Sequence, residues 1–126
     1  MFNIRMGQPE IENYWEGLTG RALAGKASKT EVIEYNQLGK TFKTIAENPR
    51  HPGLHTHSIS ELTERYGKKV WCSYVQNNTP AAKRVYWVYG PDRQDITIIA
   101  IEPHPDDKKN SYRKVVLSSM PKPRKE

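Results

Sequence analysis

The sequence predicts an α+β domain, and three observations carry that prediction. Two stretches before Pro49 repeat their apolar side chains with the period of a helix. Three short β-like runs come later and are joined by segments rich in turn-forming residues. One further short strand precedes the helices. The predicted order is therefore β-α-α-β-β-β, with a helical hairpin packed on one face of a mostly antiparallel sheet and the other face open.

The first half of the chain contains the short strand and both predicted helices. Residues 2–6 alternate apolar and polar side chains, which is the period of a half-buried strand. A helix is expected from Pro9, with these apolar positions on one face: Ile11, Tyr14, Trp15, Leu18 and Ala22. Ser28 and Glu31 have the spacing of a capping box, which predicts the start of a second helix. The proline after Asn48 disfavours helical backbone there and ends that helix.

The second half contains the remaining predicted strands. They cover residues 70–75, 83–89 and 96–102, and residues 54–62 are expected to add a short edge strand. Side chains alternate along the central strand, so Trp87 is expected beneath the helices, with Arg84 and Tyr86 on the open face. There the arginine could clamp a phosphate and the phenol could stack on a base, or both could be ordinary surface groups.

Two further segments carry candidate chemistry near the end of the last strand. His104 lies between two prolines, and an imidazole at a strand end suits general acid or base work near neutral pH, unless it merely finishes a turn. Tyr112 and Arg113 belong to a basic stretch that would return an aromatic ring and positive charge to the same rim. Aromatic residues interleaved with basic ones are typical of single-stranded RNA contact.

Length and charge limit the organisation of the chain. Its 126 residues predict one domain, assigned here to residues 1–118, with a basic, flexible C-terminal tail over 119–126. The formal net charge is +6, but residues 1–107 hold 13 basic and 13 acidic side chains. Residues 108–126 hold seven basic residues and one acid, so the whole excess is C-terminal. Such a segment suits phosphate contact, or simply keeps the protein in solution.

Several classes of protein are not expected. The chain shows neither an apolar run of about 18 residues nor a signal peptide at its start, so we expect a cytoplasmic protein without a membrane partner. Its one cysteine, Cys72, lies in an apolar run and is expected to fill the core. His55 and His57, with His51 nearby, could be read as metal ligands, but a Pro/Gly-rich loop needs no metal, and none is expected. No nucleotide-binding glycine motif occurs, and no cofactor is expected.

Three segments together resemble a known family. They are residues 48–54 (NPRHPGL), residues 83–87 (KRVYW) and residues 98–104 (IIAIEPH). In order and spacing they resemble the RelE/ParE superfamily of toxins from bacterial type II toxin-antitoxin systems. The resemblance implies a RelE-like fold, a cognate antitoxin as partner and, for the RelE, YoeB and HigB branch, metal-independent cleavage of mRNA in the ribosomal A site.

The resemblance also implies roles for single residues. Arg84 matches an arginine that stabilises the phosphate, and His104 lies where some members place a general acid. Tyr112 is a looser match to an aromatic residue that positions substrate, with Tyr86 and Arg113 as further substrate-binding candidates.

The general base is not assigned by the resemblance. The paired basic residues of the family's strand are missing from residues 70–75, which leaves only Lys68 and Lys69 just before that strand. Lys68 is therefore kept as a substrate-binding candidate, and Glu102 and Lys69 are both kept as candidate bases. A ParE-like gyrase poison, an inactive antitoxin-binding member and a free-standing nucleic-acid-binding domain remain the alternatives.

Overall fold

A computed structural model describes residues 1–75, 83–103 and 112–124 of the chain. Three helices and a sheet of five strands lie in these residues. The elements are β1 (Asn3–Met6), α1 (Glu10–Leu23), α2 (Lys29–Glu47), β2 (His57–Ser58), α3 (Ser60–Tyr66), β3 (Trp71–Tyr74), β4 (Lys83–Tyr89) and β5 (Asp95–Pro103). The strand order is β1-β5-β4-β3-β2, with β1 parallel to β5 and all other neighbours antiparallel. The expected α+β class with a mostly antiparallel sheet is confirmed.

The helical hairpin begins and ends close to its predicted positions. The predicted capping box is present, because Ser28 Oγ accepts a bond from the Glu31 amide at 3.2 Å and Glu31 Oε1 accepts one from the Ser28 amide at 3.0 Å. Trp15 joins the two helices by stacking on Tyr35 and meeting Phe42 edge-on. Neither helix, nor any other in the described part of the chain, is long and apolar enough to cross a bilayer.

The hairpin covers one face of the sheet and forms the first of two cores. Trp87 is fully buried there, as expected, and its Nε1 donates to Ser73 Oγ at 2.9 Å. That bond satisfies the indole N–H, which would otherwise be buried without a partner. The other fully buried members of this core are Leu18, Leu38, Ile45, Val85, Ile96 and Ile98.

The opposite face of the sheet is also covered, so the prediction of an open second face is wrong. Tyr86 and Val88 are fully buried, and Arg84 retains 7% of its surface. The cover consists of α3 and the segment from Tyr112 onward. Sequence periodicity assigned residues to faces of β4 correctly, but the cover comes from segments distant in sequence that a strand pattern does not reveal.

The expected edge strand over residues 54–62 is present but covers only His57–Ser58 at the edge of the sheet, and a helix follows it. Residues Pro52–Leu54 form a single 3-10 turn, β2 has two residues, and α3 starts at Ser60. Ile59, Leu62 and Tyr66 recur at helical spacing and pack into the second core. Gly67 then ends the helix with a left-handed backbone at φ 81°, which glycine adopts without a Cβ penalty. The predicted strand was too long because a short apolar run fits both the strand and the helix period.

The C-terminal segment docks across the second core through backbone and side-chain contacts. The Ser118 amide donates to the Ile99 carbonyl at 2.8 Å, at a bulge where Ile99 has no partner on β4. Ser119 bridges to Gln8, and the Lys122 carbonyl accepts a bond from Arg5 at 3.0 Å. Contacts to the domain therefore continue well past the boundary expected after Ser118, and the mobility of residues 119–126 stays a prediction.

Candidate functional site

The register of the sheet collects the candidate residues in two rows on its second face. Directly paired residues of antiparallel strands point to the same face. One row is His57, Cys72, Tyr86 and Ala100, taken across β2, β3, β4 and β5. The adjacent row is Tyr74, Arg84 and Glu102. The rows place an arginine, an imidazole, a carboxylate and two phenols on neighbouring positions.

Arg84 is the central charge of this group. Its guanidinium carbon lies 4.0 Å from the centroid of the Tyr74 ring, a cation–π contact. No carboxylate among the described residues forms an ion pair with it, although Glu102 is its partner in register. A nearly buried guanidinium without a counter-ion carries a desolvation cost that an anionic ligand would offset.

Tyr86 does not lie where a base could stack on it, which corrects its expected role on an open face. The side chain is fully buried, and Tyr112 meets its ring edge-on at a centroid distance of 6.3 Å. Burial raises the pKa of the Tyr86 phenol well above its usual range. Its hydroxyl has no hydrogen-bond partner among the described residues. Tyr86 therefore packs in the second core beneath the candidate site.

Cys72 lies beside Arg84 and is buried, as expected for a core residue. Burial raises the pKa of its thiol to about 11, although the neighbouring Arg84 guanidinium opposes that shift. The thiol is therefore protonated at neutral pH. Cys72 contributes volume to the second core and has no thiolate chemistry to offer the site.

Glu102 is the one predicted general base that the structure brings next to Arg84. Its side chain is half-buried, and burial raises the pKa of the carboxyl group while the Lys83 ammonium opposes the shift. It lines a cleft of about 330 Å³ together with Tyr14 and Lys83. Lys83 is itself paired with Glu34 of α2 at 2.8 Å, and the cleft lies at the edge of the sheet between α1 and the C-terminal segment.

The two predicted lysines are not brought to Arg84. Lys69 Nζ lies 4.8 Å from the centroid of the Trp71 ring, which packs against the first core on the other face of the sheet. Lys68 lies beside Gly90, at the end of β4 opposite to Arg84. Six residues of strand separate those two ends, a span of about 20 Å. The geometry therefore favours neither lysine as a partner of Arg84.

The C-terminal candidates are held by an arginine that the sequence did not single out. Arg65 of α3 donates to the carbonyl oxygens of Tyr112, Arg113 and Val115. Tyr112 is half-buried against Tyr86, while the Arg113 side chain is exposed. Tyr112 therefore joins the site, and Arg113 lies at its margin. His104 lies outside the described residues.

Two histidines lie against Tyr74, a placement that the sequence did not predict. The rings of His55 and His57 lie 5.1 Å and 6.0 Å from the Tyr74 centroid, and His57 approaches edge-on. Within the described ranges, no group of three or more side chains is arranged to hold a metal ion. Their i, i+2 spacing was visible in the sequence. The pairing of β2 with β3, which brings them to Tyr74, was not.

The chain was compared with protein families, curated proteins and solved structures. No match was found in any of them. Its function is therefore inferred from its own residues and from the resemblance described above.

Proposed function

We propose that the protein is the toxin of a type II toxin-antitoxin system and cleaves mRNA in the ribosomal A site. Its partners would be a cognate antitoxin, the mRNA and ribosomal RNA. The proposal is supported by the RelE-like segments at residues 48–54, 83–87 and 98–104. The second segment lies on β4, the third lies on β5 as far as Pro103, and these two strands pair beside the candidate site.

The proposed chemistry is attack of a ribose 2′-hydroxyl on the adjacent phosphate. Such a reaction needs a base for the nucleophile, positive charge for the phosphorane and an acid for the leaving oxygen. Arg84 would supply the charge, and His104 would supply the acid by resemblance to the family. Tyr112 would position the substrate. No cofactor takes part in this scheme.

The observation that carries the proposal is the environment of Arg84. Its guanidinium is held over Tyr74, nearly buried, with no ion-pair partner in the described part of the chain. A structural arginine of the core would be expected to have a carboxylate partner. A phosphate-binding arginine is instead kept free of carboxylates, so that the substrate completes its bonding.

Cleavage of mRNA in ribosomal complexes tests the proposal. We expect the purified protein to cut an mRNA in the A site, and Arg84→Gln to cut about 10²- to 10³-fold more slowly, the loss typical for one preorganised donor. Arg93→Gln is the matched control, because Arg93 is exposed in the turn between β4 and β5. Equal thermal unfolding of both variants would show that the loss is not a folding defect. Intact mRNA with the wild-type protein would contradict the proposal.

A non-nuclease toxin of the ParE type is the second candidate. It is favoured by the burial of Tyr86 and by the positions of Lys68 and Lys69, away from Arg84. Such a protein would poison DNA gyrase. Expression without an antitoxin should then produce double-strand DNA breaks while mRNA 5′ ends stay unchanged. A member that only binds its antitoxin would produce neither effect.

A further inference from the structure

We propose that His57 is the general base of the cleavage reaction, positioned by the backbone of His55. This inference rests on the proposed endonuclease function and supplies the one role that the resemblance leaves unassigned. The ligand would be the ribose 2′-hydroxyl next to the scissile phosphate bound by Arg84.

The sheet register places His57 on the same face as Arg84. His57 pairs with Cys72, and the next residue on that face of β3 is Tyr74, which pairs with Arg84. His57 and Arg84 are thus separated by two strand spacings of about 4.8 Å each and by one row along the strands. The Arg84 guanidinium lies over the Tyr74 ring, which the His57 ring also contacts at 6.0 Å. A single aromatic ring, that of Tyr74, therefore lies between the Arg84 guanidinium and the His57 imidazole.

The hydrogen bond made by His57 leaves its other ring nitrogen ready to accept a proton. Nδ1 of His57 lies 2.8 Å from the His55 carbonyl oxygen. A carbonyl oxygen only accepts, so Nδ1 carries the hydrogen, and in the neutral ring the lone pair is on Nε2. This is how a backbone carbonyl selects the tautomer of a basic histidine.

The backbone of His55 is held in an uncommon conformation that presents this carbonyl. His55 has φ 50° and ψ 40°, which makes it the one non-glycine residue with positive φ among those described. Left-handed backbone at a residue other than glycine is concentrated at functional sites. His55 is a positioning residue, because it acts on the substrate through the His57 ring.

The other candidate bases are less well placed. Lys69 lies over Trp71 on the opposite face of the sheet. Glu102 is adjacent to Arg84, but a second anion there would compete with the phosphate for the same guanidinium. His57 is neutral when it acts as a base and is exposed on the edge strand, where a ribose can approach. Charge and access therefore both favour His57.

The proposed step balances without a metal or a redox partner. The 2′-oxygen forms a bond to phosphorus while its proton moves to Nε2 of His57. The bond from phosphorus to the 5′-oxygen breaks, and that oxygen leaves with the electron pair and takes a proton from the general acid. The products are a 2′,3′-cyclic phosphate and a 5′-hydroxyl end.

Single-turnover cleavage of a short mRNA in ribosomal complexes tests the role of His57. We expect His57→Ala and His57→Gln to slow cleavage by about 10²- to 10⁴-fold, the usual contribution of a general base. His51→Asn is the matched control, since His51 belongs to the same loop and its side chain accepts a bond from the Gly53 amide, which asparagine can also do. Glu102→Gln tests the competing base, and we expect it to lose less than His57→Gln.

A second substrate separates the base from the acid. An mRNA with a 5′-sulfur leaving group at the cleaved bond needs no proton for departure. We expect the defect of His57→Gln to persist on this substrate, because the 2′-hydroxyl must still be deprotonated. A defect that vanishes with the sulfur leaving group would make His57 the acid and overturn the inference.

The remaining outcomes distinguish this inference from the proposed function. If the wild-type protein cleaves and both His57 variants cleave equally fast, His57 is not the base and the endonuclease stands. If Glu102→Gln shows the larger loss, Glu102 is the base and the inference is wrong. If the wild-type protein leaves ribosomal mRNA intact, both proposals fail together. Thermal unfolding of each variant, compared with His51→Asn, excludes loss of fold as the cause.

Discussion

At the scale of single residues, the second face of the sheet is a place where polar groups are buried at a cost. Arg84 has no ion-pair partner in the described residues, and the Tyr86 hydroxyl has no hydrogen bond there. Both side chains belong to adjacent rows around Cys72. A core optimised for stability alone would satisfy or omit these groups. For Arg84, this is consistent with a site whose ligand completes the bonding.

Removing the Tyr86 hydroxyl should stabilise the folded protein. A buried hydroxyl without a partner costs about 1–3 kcal/mol, so we expect Tyr86→Phe to raise the free energy of unfolding by about 1 kcal/mol. Urea denaturation measures this change. Tyr14→Phe serves as the control, because Tyr14 is exposed and its variant should stay within about 0.5 kcal/mol of wild type. A destabilised Tyr86→Phe would show that the hydroxyl is bonded after all.

At the scale of elements, α3 and the C-terminal segment act as one cover over the second core. Arg65 of α3 binds three carbonyl oxygens of the segment, and the Tyr66 hydroxyl donates to the Ser118 carbonyl at 2.9 Å. Ser118 also bonds the bulge of β5 through its amide. The cover is therefore fastened to both a helix and the sheet. It holds Tyr112 against Tyr86 and so shapes the site.

Loss of the Arg65 side chain should loosen this cover. We expect Arg65→Ala to lower the free energy of unfolding by about 2 kcal/mol, since hydrogen bonds from a charged donor contribute about 1.5–3 kcal/mol each and this donor is partly exposed. Faster hydrogen exchange at the Ser118 amide would report local opening. Glu64→Ala, one residue earlier and exposed, should change neither quantity. Unaltered exchange at Ser118 in Arg65→Ala would show that the sheet alone holds the cover.

At the scale of the whole molecule, one buried carboxylate links the first strand, the last turn and the C-terminal segment. Asp95 accepts bonds from Asn3 and Arg5 of β1 and from the Asp92 amide. Arg5 in turn donates to the Lys122 carbonyl. Burial pushes the pKa of Asp95 up, but these hydrogen bonds outweigh it and hold the pKa below its usual range.

Stability should therefore fall in acid partly through Asp95. A carboxyl whose pKa is lowered by folding adds stability above its unfolded pKa, about 3.9, and loses it as pH falls through the folded value. We expect Asp95→Asn to be less stable than wild type at pH 7 and to lose less stability between pH 5 and pH 2, measured by urea denaturation across pH. Glu16 is an exposed carboxylate on α1, so Glu16→Gln should leave the pH dependence of stability as in wild type. If the stability of Asp95→Asn depended on pH as that of wild type does, another carboxylate would cause the acid sensitivity. Glu31 would be the next candidate, since the hydrogen bond from the Ser28 amide also lowers its pKa.

Local patterns in the sequence predicted the elements whose signals are local. The capping box at Ser28, the end of α2 before Pro49 and the alternation along β4 were all readable, because each depends on residues a few positions apart. The burial of Trp87 beneath the helices followed from that alternation. The resemblance that motivates the proposed function also lies in the sequence, through the segments at 48–54, 83–87 and 98–104.

The tertiary structure decided what lies across the sheet. The 54–62 segment was expected to be an edge strand, and beyond the two residues of β2 it begins a helix that packs with Tyr86 in the second core, where the C-terminal segment completes the cover. The surroundings of Arg84 were likewise decided by strand pairing, which brings Tyr74 against Arg84 and His57 against Tyr74. A sequence determines which residues share a face, because that depends on local geometry. Which faces meet depends on long-range packing, and that packing turned an expected open surface into a nearly buried site.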